Sequence, residues 1–185
     1  MRNLLILILT HILAGVAGFG WHVLSVARED IIPVASLKVD NGLHTLGGSA
    51  FTGMALEKEA DGGRTYTLYA AGKAHGYAYS LWPSGGLRDV RQLKSGILDG
   101  EQLGFYVDGK IAYHQRYKDG QYEGEQREWH PNGYPYKRRF FKDGQEDGTQ
   151  QVWRPNGRLV VNYELRDGEP YGLLGTEACI DDMGM

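Results

Sequence analysis

The sequence has a single cysteine, Cys179, so no internal disulfide can form and the fold must be held by packing and hydrogen bonds. Neither sign of charge is in excess. Lys and Arg number 20 against 23 Asp and Glu, a net charge of -3. A nucleic-acid module needs a basic stripe to displace counterions, and this balance argues against one. Paired-histidine metal motifs, nucleophile elbows, phosphate loops and Cys-x-x-Cys are all missing, so no catalytic constellation is visible and an enzyme is not expected. At 185 residues there is room for one domain with an accessory segment.

What the chain does have is glycine, and the glycine is periodic. Gly72, Gly96, Gly120, Gly144 and Gly168 stand 24 residues apart, as do Gly76, Gly100, Gly124, Gly148 and Gly172. A third ladder is Gly85, Gly109, Gly133 and Gly157, and an apolar column, Leu81, Phe105, Trp129 and Trp153, keeps the same step. Self-similarity at such a period marks a repeat architecture, which offers a long surface rather than a deep pocket.

One unit contains two turn signals. Pro131-Asn132-Gly133 recurs as Pro155-Asn156-Gly157, and in looser form as Pro83-Ser84-Gly85 and Val107-Asp108-Gly109. The other turn is Lys118-Asp119-Gly120, Lys142-Asp143-Gly144 and Arg166-Asp167-Gly168, with Lys94-Ser95-Gly96 as a first copy. The aspartates fill turn positions and are structural. Two turns in 24 residues leave two short strands, hence one β-hairpin per repeat. The chain is therefore expected to be all-β, an elongated single antiparallel meander of about ten strands. A bulge at the glycine after Pro-Asn would put Trp129 on one face with positions 135, 137, 139 and 141, where the last repeat carries Leu159, Val161, Tyr163 and Leu165.

The opposite face then carries the ladder Trp82, Tyr106, His130 and Arg154, with Tyr136, Arg138, Phe140 and His114 nearby. Aromatic and arginine side chains together suit a protein-binding surface, and equally suit cross-strand pairing within a thin sheet. The run Lys137-Arg138-Arg139 reads as a solvated strand rather than a lipid site.

The Lys-Asp-Gly-x3-Gly turns at 118–124 and 142–148, with the Trp-x-Pro-Asn-Gly stretches at 129–133 and 153–157, resemble the bacterial MORN-variant repeat found in proteins grouped as YwqK-family antitoxins. The resemblance covers about residues 64–172. It implies a repeat sheet acting as an interaction or membrane-associated surface, and nominally an antitoxin. No DNA-binding segment accompanies the repeats, and no SET or kinase domain does.

Upstream, residues 28–63 fit the period poorly and read as a degenerate β-rich cap. Residues 1–27 contain an apolar run from Leu4 to Leu24, about 30 Å as a helix, preceded by Arg2 and followed by Arg28, Glu29 and Asp30. This is expected to be one N-terminal transmembrane helix that places the repeats on the exported, periplasmic side of a bacterial inner membrane. Cleavage after Ser25-Val26-Ala27 is the alternative reading. His11, Ala14, Gly15, Gly18, His22 and Ser25 form one stripe on such a helix, suited to packing against a partner helix. Residues 173–185 leave the repeat and combine Cys179 with Met183 and Met185, a soft ligand set that suits Cu(I) or a partner's thiol. The plainer reading is a tail with Cys179 tucked against the last strand. No resident cofactor is expected; a protein partner is.

Overall fold

The computed structural model describes residues 31–166 and 168–173. Apart from one 3-10 turn at Val34–Ser36, every regular element among them is a strand. The cap region contributes β1 (Ile31–Pro33), β2 (Lys38–Asp40), β3 (Leu43–Leu46), β4 (Ser49–Ala50) and β5 (Gly53–Lys58). The repeats follow as β6 (Arg64–Ala70), β7 (Lys73–Leu81), β8 (Leu87–Lys94), β9 (Ile97–Phe105), β10 (Ile111–Lys118), β11 (Gln121–Tyr122) and β12 (Gly124–Trp129). The series closes with β13 (Pro135–Lys142), β14 (Gln145–Trp153), β15 (Leu159–Arg166) and β16 (Glu169–Leu173).

From β5 onward each strand neighbours the next in chain order, with the short β11 set beside β10. The long sheet holds 13 strands, because β1 also joins it beside β5, while β2, β3 and β4 form a separate three-stranded sheet. The expectation of a single sheet of about ten strands is thereby corrected. The cap adds strands at one end and folds a small sheet of its own. Among the described residues no helix is long and apolar enough to cross a membrane, and the apolar run, its polar stripe and the tail with Cys179, Met183 and Met185 lie outside them.

The two turns form for the reasons their residues suggest. In the tight turn both central residues are left-handed: Asp119 and Gly120 have φ of 49° and 82°, Asp143 and Gly144 have 49° and 79°. That is a type I′ turn, whose twist matches the flanking strands. In the wide turn the Gly133 amide donates to the His130 carbonyl at 2.8 Å, and the His130 amide to the Tyr134 carbonyl at 2.8 Å, with Gly133 at φ 88°. The expected bulge at that glycine is present.

A second bulge follows it at once and reverses the expected facing. Trp129 pairs with Pro135, but Glu128 pairs with Lys137, so β13 holds one extra residue just after the turn. The same slip occurs between Leu81 and Ser80, at Ile111/Tyr113, and between Trp153 and Val152. One extra residue moves every later side chain to the other face. Trp129 therefore shares its face with Arg138 and Phe140, not with positions 137, 139 and 141.

The second glycine ladder marks a larger irregularity. Arg91 pairs with Gln102 but Leu93 with Leu98, and Arg139 pairs with Gln150 but Phe141 with Glu146, so the glycine-bearing strand carries two surplus residues. Glutamine side chains close the gap this leaves. Gln126 accepts from the Arg116 amide through Oε1 at 2.9 Å and donates through Nε2 to the Arg116 carbonyl at 2.9 Å, standing in for a missing peptide unit. Gln150 donates to the Phe140 carbonyl at 2.8 Å in the next repeat. Both are almost fully buried, at 2% and 1% exposure.

Among the described residues the buried apolar side chains lie between Phe51 and Tyr79. Phe51, Ala55 and Tyr69 pack with Ile32, Val34, Leu37 and Ala74 under the cap, and Tyr66 stacks on Tyr79 at 4.8 Å. Beyond β7 the buried side chains among the described residues are polar: Asp89, Gln126 and Gln150.

Candidate functional site

The strand registers place Leu103, His114, Arg127, Arg138 and Gln151 in one row across β9, β10, β12, β13 and β14. On the same face lie Phe105, Arg116, Glu125, Trp129, Phe140 and Trp153, alternating along their strands with residues of the opposite face. The aromatic side chains are half-buried, Trp129 and Trp153 included. Among the described residues no second layer covers this region of the sheet, which leaves them so.

Two carboxylates organise the charges. Glu101 accepts from the Arg116 guanidinium at 2.9 Å and lies 3.2 Å from His114 Nε2. Glu125 holds Arg127 at 2.7 Å and Arg138 at 2.5 Å. Burial pushes both carboxyls up, but the hydrogen bonds from these cations outweigh it and hold each below the ordinary range. Arg138 also lies over the Phe140 ring, 5.0 Å from its centroid. Between β10 and β12, His114, Arg116, Glu125 and Arg127 line a groove of about 170 Å³.

The ladder Trp82, Tyr106, His130 and Arg154 has a different place from the one expected. Each residue opens a wide turn, its amide donating across the turn mouth to Gly86, Lys110, Tyr134 and Arg158 in order. Tyr106 donates its hydroxyl to the Trp129 carbonyl at 2.6 Å, and His130 Nε2 lies 2.9 Å from the Trp153 carbonyl. Both reach 23 residues forward to the backbone of the next repeat. Lys110 and Asn132 make parallel reaches to the carbonyls of Pro131 and Pro155, at 3.2 and 2.7 Å. Trp82 Nε1 is buried without a partner. Tyr106 and His130 thus hold repeat to repeat along one end of the strands. Tyr136 packs against His130 with tilted rings, centroids 4.7 Å apart, and carries the Lys137 ammonium 4.4 Å from its ring centroid. Of the expected surface, Arg138 and Phe140 sit together on an open face.

The other end of the strands has its own ties, which the sequence reading missed. The tight turns at Gly96, Gly120 and Gly144 each present two adjacent amides, and the preceding repeat receives both. Gly96, Gly120 and Gly144 donate to the carbonyls of Ala74, Leu98 and Tyr122, at 2.7, 2.8 and 3.0 Å. The amide before each glycine is taken by a side chain: Ser95 by His75 Nδ1 at 3.4 Å, Asp119 by Asp99 at 3.2 Å and Asp143 by Glu123 at 3.0 Å. His75, Asp99 and Glu123 are 24 apart, and so are Gln102, Gln126 and Gln150. Those two ladders were the available signal.

On the opposite face Tyr117, Tyr122 and Phe141 form an aromatic chain with centroids 4.8 and 5.0 Å apart. Beside it is an open hollow of about 480 Å³. Lys137 and Arg139 project to that face and pair with Glu128 at 3.7 and 3.4 Å, so the short basic run divides between the two faces. Among the described residues no group of three or more His, Cys, Asp or Glu could hold a metal ion. No protein-family model matches the chain, and no curated protein does.

Proposed function

We propose that the protein is a non-enzymatic, membrane-anchored repeat module of MORN-like type that holds a protein partner on the exported side of the membrane. The observation that carries this reading is the uncovered aromatic and arginine face of β9 to β14. Phe105, Trp129, Phe140 and Trp153 lie half-buried there beside Arg127 and Arg138, whereas the fully buried apolar side chains are gathered near the cap. Trp, Tyr and Arg are the residues on which binding energy concentrates, and a hydrogen-bonded sheet gives them rigid positions. The hollow beside Tyr117 and Tyr122 is open, which suits a macromolecular surface better than a small substrate. The apolar run from Leu4 to Leu24 supplies the anchor in this reading.

The test is a photo-crosslinking amino acid placed at Trp129 or Trp153, with Val161 on the opposite face as the control. A defined protein adduct at the first two positions and none at Val161 is the expected result. Equal labelling on both faces, or none at either tryptophan, would sink the proposal. Fractionation and intact mass of the same samples test the anchor. Recovery in the soluble fraction with a mature N-terminus at Arg28 would overturn that part alone.

A further inference from the structure

The uncovered face is not uniform, and one charged segment of it departs from what the repeat requires. Four positions line the same backbone geometry in each repeat, joined by the pairs Tyr66–Tyr79, Val90–Leu103, His114–Arg127 and Arg138–Gln151. They are filled by Tyr66, Leu68, Tyr77 and Tyr79 in the first copy, and by Val90, Gln92, Glu101 and Leu103 in the second. The fourth has Arg138, Phe140, Thr149 and Gln151. Only the third has His114, Arg116, Glu125 and Arg127. The first two copies carry no cation at these positions, so the repeat does not require one there.

Their arrangement also works against the sheet. Arg127 pairs directly with Arg138 on one side and with His114 on the other, so two guanidiniums stand opposite each other beside an imidazole. Like charges directly opposite are unfavourable. The two carboxylates relieve this only in part. The Arg116, Arg127 and Arg138 side chains remain 57%, 49% and 43% exposed, while Glu101 and Glu125 beneath them are 18% and 27% exposed. Three guanidiniums over two carboxylates leave at least one positive charge, facing outward.

We propose that this cation row is the receptor for an acidic segment of the partner polypeptide, whose Asp or Glu side chains lie along the row. The inference rests on the protein-binding reading above and names the chemistry of that partner. Adjacent strands are about 4.8 Å apart, so the row spans roughly 10 Å. In an extended peptide, side chains two residues apart are separated by about 7 Å, which fits two carboxylates within that span. Guanidinium forks match carboxylates bidentately. Phe140 and Trp129 at the margin offer apolar contact to the flanking residues of such a peptide. A phosphate dianion fits less well, since Glu101 and Glu125 are ionised in the floor of the row.

The experiment pans a random 12-residue peptide library, displayed on phage, against the full-length protein in detergent. Fluorescence anisotropy of the labelled enriched peptide then measures affinity. The double variant Arg116→Gln/Arg127→Gln is the comparison, because glutamine already occupies the corresponding places at Gln92 and Gln151 and the repeat accepts it there. We expect enrichment of Asp and Glu, and a Kd at least tenfold weaker for the double variant. A similar loss is expected when the peptide's carboxylates become carboxamides. Affinity should also fall several-fold between 50 and 200 mM salt. Enriched peptides without carboxylates, or a double variant within twofold of wild type, overturn the inference. So does binding confined to vesicles of phosphatidylserine and phosphatidylcholine. Peptides whose binding depends on Trp129 and Trp153 but not on the arginines would remove this inference and leave the protein-binding reading intact. The crosslinks at those tryptophans test that reading independently.

Discussion

Replacing Gln126 with leucine keeps the volume of a nearly fully buried side chain and removes what it does for the backbone. Its Oε1 accepts the Arg116 amide at 2.9 Å, and its Nε2 donates to the carbonyls of Arg116, Glu123 and Gly124 at 2.9, 3.1 and 3.4 Å. The Arg116 carbonyl keeps a bond from the Glu123 amide at 3.0 Å, but the Arg116 amide is left with none. An orphaned buried donor costs about 1–3 kcal/mol and each lost ordinary bond about 1 kcal/mol. The sum expected for Gln126→Leu is about 2–4 kcal/mol, or a Tm lower by roughly 5–12 °C in a domain of this size. Gln150 makes one such bond and its Oε1 is already without a partner, so Gln150→Leu should cost only about 1 kcal/mol. Gln126→Glu adds a pH signature. A carboxylate there would face three carbonyl oxygens, so its folded pKa would rise above the unfolded value of about 4.3. The variant should approach wild-type stability below that pH and weaken as pH climbs through the raised value. Circular dichroism melts at pH 7.5 and pH 4 read both effects. A Gln126→Leu protein within about 0.5 kcal/mol of wild type, or a costlier Gln150→Leu, would refute the argument that these amides replace strand backbone.

Glu59 is held down to about 2 by its hydrogen bond from Arg88 and then by that from Thr65. Its contribution is therefore fully present above the unfolded value of about 4.3 and is lost as pH falls toward 2. Urea midpoints between pH 5 and pH 2.5 should decline less steeply in Glu59→Gln than in wild type. His75→Asp should raise stability by about 0.5–1 kcal/mol, since a carboxylate makes a stronger acceptor for the Ser95 amide, as Asp99 does for Asp119; a lower thermal midpoint would count against the tie. Gly133→Val should cost more than about 1 kcal/mol from backbone strain alone, because φ is 88° and no atom lies within 4 Å of the added Cβ. An unchanged denaturation midpoint would show that the turn adjusts freely.

Both turns could be read from the chain because left-handed backbone leaves a mark: glycine at 120, 133 and 144, preceded by Asp or Asn. The bulge at Gly133 was legible on the same ground. The slip beside Pro135 was not, since an extra extended residue needs no special side chain and Tyr136 advertises nothing. That one unmarked residue decided which side chains share a face with Trp129, and so which surface could be a site. The aromatic and arginine composition of the surface was visible in the sequence. Its partition was not: Tyr106 and His130 turned out to bind the next repeat's backbone, while Arg127 joined His114, Arg138 and Phe140 on the open face. The glutamines at 126 and 150 could have been singled out by their spacing, but a polar residue in a strand ordinarily faces water. Nothing in the linear pattern says that an amide is needed to complete a ladder.

The ties between turns have a consequence for how such a chain can change length. Each donor finds its acceptor 20 to 23 residues away, always in the adjoining unit, and the chemistry of donor and acceptor recurs with the same step. Excising one whole unit rejoins equivalent ends, so the new neighbours meet with matching groups and matching facing. Excising 23 or 25 residues inverts every side chain beyond the cut. Recombination between copies of the coding sequence therefore adds or removes surface in fixed quanta, sliding the cation row relative to the cap without redesigning either.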